Sequence, residues 1–228
     1  MQAYSVPWKA REVISVFLAL VLAMWLMDNF SSLILEVNPI LLFGLTAIIQ
    51  VALLVGLVFY FVRKRYRLPW VYLGLAPAPL KRILVFGFGG GLLLCFSVLV
   101  LSLILARFVS GPVEPQPFVE MLLSTQNRLQ LAVVITVGSI LAPISEEIYF
   151  RGFFYPFLRK HLGVGVALWG SALIFGALHL DLIRFIPLTL GGYGLAWIYQ
   201  RTGSLYASIV AHSVWNTLMT GLVLGAGF

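Results

Sequence analysis

Ser145-Glu146-Glu147-Ile148-Tyr149-Phe150-Arg151 places two adjacent carboxylates and an arginine in a region that is apolar on both sides. Upstream runs Leu129-Gln130-Leu131-Ala132-Val133-Val134-Ile135-Thr136-Val137, and downstream comes Gly152-Phe153-Phe154-Tyr155-Pro156-Phe157-Leu158. Two of the chain's eight acidic residues therefore sit where bulk water does not surround them. Ionisable groups at membrane depth are costly and by default mark a functional site.

Working outward, the composition agrees with a membrane setting. Of 228 residues, 61% are hydrophobic and only 10% charged, with a mean hydropathy of +1.01. A soluble chain carries roughly a quarter charged residues, so this composition specifies a polytopic membrane protein. The net charge of +7 does not imply nucleic acid, because the basic residues are scattered between apolar spans and form no soluble platform. They read as topology signals. The single cysteine, Cys95, lies in an apolar run, which excludes an intrachain disulfide framework and argues against thiol chemistry. No A-x-A-like cleavage site follows the apolar run Val13 to Met27, where Asp28, Asn29 and Phe30 come instead, so this run is expected to be a retained first span.

Crossing about 30 Å of hydrocarbon takes about 20 apolar residues. Seven stretches fit, near 13–34, 39–62, 83–106, 130–158, 163–181, 184–200 and 204–225. The predicted fold is all-α: a transmembrane helical bundle of seven helices, or eight if the segment near 68–82 dips into the bilayer. It forms one integral membrane domain over 1–228, with the polar motifs at about 130–220. With the N-terminus cytoplasmic, eleven basic residues fall inside (Lys9, Arg11, Arg63, Lys64, Arg65, Arg67, Lys81, Arg82, Arg159, Lys160, Arg201). Three fall outside, Arg107, Arg128 and Arg184, which supports that orientation and puts the C-terminus outside.

Two loops and a glycine run receive structural readings. The cluster Arg63-Lys64-Arg65-Tyr66-Arg67, followed by Trp70 and Tyr72, suits an interfacial anchor on anionic headgroups. Gly87, Gly89, Gly90 and Gly91 lack the Gly-Lys-Ser/Thr of a phosphate loop and are expected to let helices pack closely. The Pro-rich stretch Gly111 to Pro117 is an outer loop with no assigned chemistry.

Three polar constellations lie in the last half. Glu147 and Arg151, four residues apart, share a helical face and can pair, whereas Glu146 is turned about 100° away and can face a cavity. Phe175 with His179, and His212 with Asn216, repeat the four-residue spacing. If the fourth span continues to Arg159-Lys160, with Gly152 and Pro156 accommodated as a kink, Glu146 lies roughly 20 Å above its end. His179, sixteen residues after Gly163, is then roughly 24 Å above the turn, and His212 and Asn216 roughly 12 and 18 Å along the last span. Glu146, His179, His212 and Asn216 can converge at mid-membrane.

A desolvated glutamate can serve as general base toward water, with histidine positioning that water, while histidine and asparagine donors stabilise an oxyanion. Together these describe amide hydrolysis without a covalent nucleophile and without a cofactor. Zinc held by Glu146, His179 and His212 is the competing account, although H-E-x-x-H is absent. Ser145, Ser171 and Ser213 lack a G-x-S-x-G setting. The non-enzymatic alternative is a membrane scaffold or immunity protein whose polar cluster only joins helices.

The ordered set E-E-x-x-x-R, F-x-x-x-H and H-x-x-x-N resembles the CAAX prenyl endopeptidase type II and bacteriocin-processing (CPBP, Abi) family of glutamic intramembrane proteases. Arg151-Gly152 and Leu73-Gly74-Leu75 are also similar to that family. The resemblance implies a Glu146–His179 pair that activates water, an oxyanion site at His212 and Asn216, and supporting positions at Glu147 and Arg151. It also implies membrane lipids and a membrane-associated peptide or protein, prenylated CAAX-type proteins among them, as partners. The compact chain looks like the prokaryotic branch, which places it in a plasma membrane.

Overall fold

The computed structural model describes residues 5–31, 38–109 and 114–226, and among them every regular element is helical. Residues 32–34 of the expected first span and 110–113 of the Pro-rich stretch lie outside the described residues. Helix α1 spans Ala10–Ser31, α2 Pro39–Arg65, α3 Leu80–Ala106, and the short α4 Pro117–Leu123. The stretch Arg128–Ala177 is helical but for one residue, Gly163, whose φ of 78° and ψ of 172° separate α5 (128–162) from α6 (164–177). Helices α7 (Phe185–Thr202) and α8 (Leu205–Gly225) complete the bundle.

Apart from the short α4, seven helices among the described residues run between two ends, and the chain is a helical integral membrane protein. Among the described residues, five stretches are long and apolar enough to cross a bilayer: Ala10–Met27, Pro39–Arg65, Leu80–Ala106, Arg128–Ala177 with its two arms, and Leu205–Gly225. Helix α7 does not reach that apolarity and packs chiefly against α6 and α3. Outward-facing side chains such as Leu18, Leu22, Leu45 and Phe96 are more than half exposed, as expected of a surface that meets lipid chains.

The segment near 68–82 adds no eighth span. It contains one 3₁₀ turn, Trp70–Leu73, closed by Gly74 in the left-handed region with φ 78°, and then a short approach to α3. Leu73 is fully buried, and a Cβ on Gly152 would lie 3.2 Å from the Leu73 carbonyl oxygen. The Gly74 carbonyl accepts the Leu205 N–H at 2.8 Å. This turn plugs the bundle where α5 passes it, which gives both Leu73-Gly74-Leu75 and Arg151-Gly152 a packing role. Arg63 lies over the Trp70 ring at 5.1 Å, consistent with an interfacial cluster.

Helix α5 begins at a defined cap: Asn127 Oδ1 accepts the Gln130 N–H, and Gln130 Oε1 accepts the Gln126 N–H. It then carries two π-helical stretches, Val137–Leu141 and Ile148–Phe154. Each lies just before a proline, Pro143 and Pro156. Proline donates no hydrogen bond and crowds the carbonyl four residues back, here Ser139 and Gly152, and the wider turn accommodates that carbonyl. The expected kink is therefore a widening of the helix, and α5 continues through Arg159-Lys160 to Gly163 as the depth argument requires. Beyond Gly163 the chain folds back, with Leu158 against Gly170 and the Phe150 ring 5.2 Å from that of Phe175.

The expected span 163–181 is shorter in the structure. Helix α6 stops at Ala177 because Leu180 takes a positive φ of 52°, and His179 lies in the closing turn. Of the α3 glycines, Gly87, Gly90 and Gly91 face Val210, Ile198 and the Ala211 carbonyl, whereas Gly89 faces no neighbouring helix. At Gly91 a Cβ would come within 2.6 Å of that carbonyl oxygen, so α3 and α8 approach backbone to backbone.

Candidate active site

A cavity of about 360 Å³ opens between α3, α4, α5, α6, α7 and α8. Its polar lining includes Glu146, His179, His212 and Asn216, the four residues singled out from the spacings, together with Gln116 and Arg184. Phe175, Trp215, Leu188 and Met219 are among its apolar walls. Glu147 and Arg151 do not line it; both are fully buried behind it.

The two carboxylates have different surroundings, as the 100° turn between them requires. The Glu146 side chain is 31% exposed and faces the cavity, and its Oε2 stands 3.8 Å from His212 Nε2. That separation is too long for a direct hydrogen bond and suits a group placed between them. Glu147 has no exposure and is enclosed by donors. Its Oε1 receives Arg151 Nη1 at 2.7 Å and His212 Nδ1 at 2.9 Å, while its Oε2 accepts the Ser208 hydroxyl. A carboxylate surrounded in this way is fixed in place by three side chains.

Arg151 is held at both terminal nitrogens, while its buried Nε has no hydrogen-bond partner. Its Nη2 donates to the Gly192 carbonyl at 2.8 Å, and its guanidinium carbon lies 4.8 Å from the centre of the Phe175 ring and 5.6 Å from that of Phe150. Phe175 in turn meets His179 at 5.0 Å and His212 at 5.8 Å between ring centroids. The phenylalanine of F-x-x-x-H is therefore the packing hub that joins the arginine to both histidines.

Hydrogen-bond partners determine the histidine tautomers. His179 Nδ1 lies 2.9 Å from the Phe175 carbonyl, which can only accept, so Nδ1 carries a proton. His212 Nδ1 faces the Glu147 carboxylate, which likewise only accepts, leaving Nε2 toward Glu146. Asn216 is oriented from behind: its Nδ2 donates to the Gly138 carbonyl at 2.9 Å, inside the first π-helical stretch. Trp215 stacks on His212 at 5.5 Å and closes the site against Gly191.

Ser208, Trp215 and the Gly138 carbonyl belong to the site but were not selected from the sequence. For Ser208 the available signal was its position four residues before His212, on the same face of α8. As for zinc, Glu146, His179 and His212 share the cavity, but among the described residues no three His, Cys, Asp or Glu side chains are grouped closely enough to hold a metal ion.

Outside the bilayer-spanning helices, Asp181 and Arg184 pair in the loop between α6 and α7, at the cavity mouth. Partial burial pushes the Asp181 carboxyl up, but the hydrogen bonds and charge of Arg184 outweigh this and hold it below its ordinary value.

Residues 128–218 match the family described as type II CAAX prenyl endopeptidase Rce1-like. The Bacillus subtilis (strain 168) protein named "Putative membrane peptidase YdiL" is 36% identical over 87 residues, 38% of this chain and 36% of that protein. The Lactococcus lactis (strain IL1403) UPF0177 protein YaiF is 29% identical over 144 residues, 56% of this chain and 62% of that protein. The human CAAX prenyl protease 2 is 28% identical over 99 residues, 35% of this chain and 30% of that protein. No solved structure matches significantly. The chain thus spans between about a third and three fifths of these relatives' lengths, and the family resemblance read from the three motifs is borne out over the region that holds them.

Proposed function

We propose, with that likeness over residues 128–218 as the premise, that the chain is an intramembrane endopeptidase that hydrolyses a peptide bond with activated water. The observation that carries this reading is one cavity in which the Glu146 carboxylate and His212 Nε2 stand 3.8 Å apart, with His179 and Asn216 on the same wall system. That arrangement provides a proton acceptor, a water-positioning nitrogen and an oxyanion donor around a space for one carbonyl.

In the reaction, a water held near Glu146 and His179 Nε2 loses a proton to the Glu146 carboxylate as its oxygen bonds to the substrate carbonyl carbon. The carbonyl oxygen takes the negative charge and accepts a hydrogen bond from Asn216 Nδ2. His212 can donate to it as well only when Nε2 is also protonated, because Nδ1–H is committed to Glu147. The charge of Glu147 then offsets the imidazolium. Breakdown of the tetrahedral intermediate breaks the C–N bond, and the proton held by Glu146 passes to the leaving amine. The products are a carboxylic acid and an amine, which part as carboxylate and ammonium, and one water is consumed.

The reaction as written requires no metal. The remaining partners are membrane lipids around the apolar exterior and a membrane-associated peptide or protein in the cavity. The setting is a prokaryotic plasma membrane with a cytoplasmic N-terminus. The test compares peptides released by membranes and by purified protein carrying wild type or Glu146→Gln. Loss of specific products with an unchanged melting temperature is expected, and full activity in the variant sinks the assignment. Activity abolished by EDTA and restored by zinc would overturn the metal-free chemistry.

A further inference from the structure

The two ends of the bundle differ in access and in charge. At the end bearing Lys9, Arg63–Arg67, Lys81, Arg82, Arg159, Lys160 and Arg201, the interior is sealed. Trp8, fully buried, stacks on Phe153 at 4.7 Å and donates its Nε1–H to the Phe153 carbonyl at 2.9 Å. Lys160 Nζ reaches the Val6 carbonyl at 2.9 Å, Leu205 N–H the Gly74 carbonyl at 2.8 Å, and Arg82 the Thr202 carbonyl at 3.3 Å. The extended segment before α1 and the 70–74 turn close this end over the catalytic side chains.

The cavity lies wholly in the other half. Its lining comes from the last part of α3, the start of α4, the first half of α5, the end of α6 with its turn, the start of α7 and the second half of α8. Its mouth is framed by Gln116 and by Arg184, which is braced by Asp181 and by the Glu114 carbonyl at 2.8 Å. Only Arg107, Arg128 and Arg184 occupy this end, against eleven basic residues at the sealed one. Lysines and arginines in short loops mark the cytoplasmic side.

We infer that the site is loaded from the non-cytoplasmic face, so that its substrates are peptide segments exposed on that side: exported peptides, or the non-cytoplasmic ends of membrane proteins. A tail held in the cytoplasm has no path to Glu146 through the sealed end. The inference rests on the hydrolase reading for its substrate class, but the direction of access stands on geometry and charge alone.

The test uses the full chain in the plasma membrane of bacterial cells, with the buried Cys95 replaced (C95S) and a single new cysteine per protein. Gln116→Cys and Glu114→Cys report on the mouth, and Arg65→Cys on the sealed end. With a membrane-impermeant maleimide, the two mouth cysteines should label in intact cells as fully as in opened membranes, and Arg65→Cys only after opening. Mouth cysteines that label only after opening, or Arg65→Cys labelling in intact cells, overturn the inference. Peptide release is then measured from right-side-out and inverted vesicles with wild type and Glu146→Gln. Glu146-dependent cleavage of substrate offered from the cytoplasmic side overturns the access inference and keeps the hydrolase reading. Identical products from both proteins on both sides reject the hydrolase reading and leave the labelling result standing.

Discussion

Glu147 Oε1 is fully buried and lies 2.9 Å from His212 Nδ1, and the same oxygen is 2.7 Å from Arg151 Nη1. One buried carboxylate therefore fixes the tautomer of a cavity histidine and neutralises a buried guanidinium. The two roles are separable in principle, because Arg151 has other partners in the Gly192 carbonyl and the Phe175 face.

Glu147→Gln should expose that division. It leaves the Arg151 charge buried without a counterion, so a loss of about 3–5 kcal/mol is expected, read as a fall in melting temperature in detergent. The double change Glu147→Gln with Arg151→Met removes both charges and should recover most of the stability, since neutralising a whole buried pair is often nearly free. Turnover should remain low in the double variant, by on the order of 10²-fold, because no carboxylate balances His212. A double variant that regains both stability and turnover shows Glu147 to be structural only.

Gly191→Ala probes the wall behind His212. A Cβ there would sit 2.3 Å from the Trp215 ring, which stacks on His212 and lines the cavity. The ring must move, and overpacking of this kind costs about 1–3 kcal/mol. Reduced turnover accompanying the drop in melting temperature is expected. Combining Gly191→Ala with Trp215→Phe should relieve the clash and restore stability; no relief would mean that Trp215 is not the obstacle.

At the mouth, the lowered Asp181 carboxyl sets a pH sign. Its ordinary value is 3.8 and its folded value lies below that, so its pairing with Arg184 contributes fully above 3.8 and is lost as pH falls through the folded value. The pair is partly exposed and screened, which limits its contribution to less than about 1 kcal/mol. Asp181→Asn should therefore change the melting temperature slightly at neutral pH and flatten its decline below pH 4. An unaltered acid decline would remove the pair from the account.

The membrane bundle was legible because apolar runs of spanning length leave few alternatives, and the Glu147–Arg151 pair because four residues bring two side chains to one helical face. The break at Gly163 followed from a glycine between two apolar runs. Less was visible where backbone departs from the regular helix. The two π-helical stretches before Pro143 and Pro156 look like ordinary apolar helix in sequence, so the Gly138 carbonyl could not be foreseen as a partner of Asn216. The stop at Ala177 was missed because Leu180 carries no turn signal, and a leucine at positive φ is unusual. Ser208 reads as a small packing residue until Glu147 is placed beside it.

Asn216 separates catalysis from packing most directly. One Nδ2 hydrogen is bonded to the Gly138 carbonyl at 2.9 Å, and the side chain lines the cavity that Glu146 and His212 share. Asn216→Ala loses the first bond, which contributes about 1 kcal/mol, and any oxyanion donor, which is typically worth about 10²–10³-fold in kcat. Asn216→Asp keeps the size of the side chain but replaces the donor with an acceptor, which would repel both the Gly138 carbonyl and a developing oxyanion. Both variants should bind substrate with little change in KM while kcat falls, and Asn216→Asp should fall at least as far as Asn216→Ala. If kcat holds while the melting temperature drops, Asn216 only ties α8 to the π-helical turn of α5, and the oxyanion must be stabilised by His212 alone.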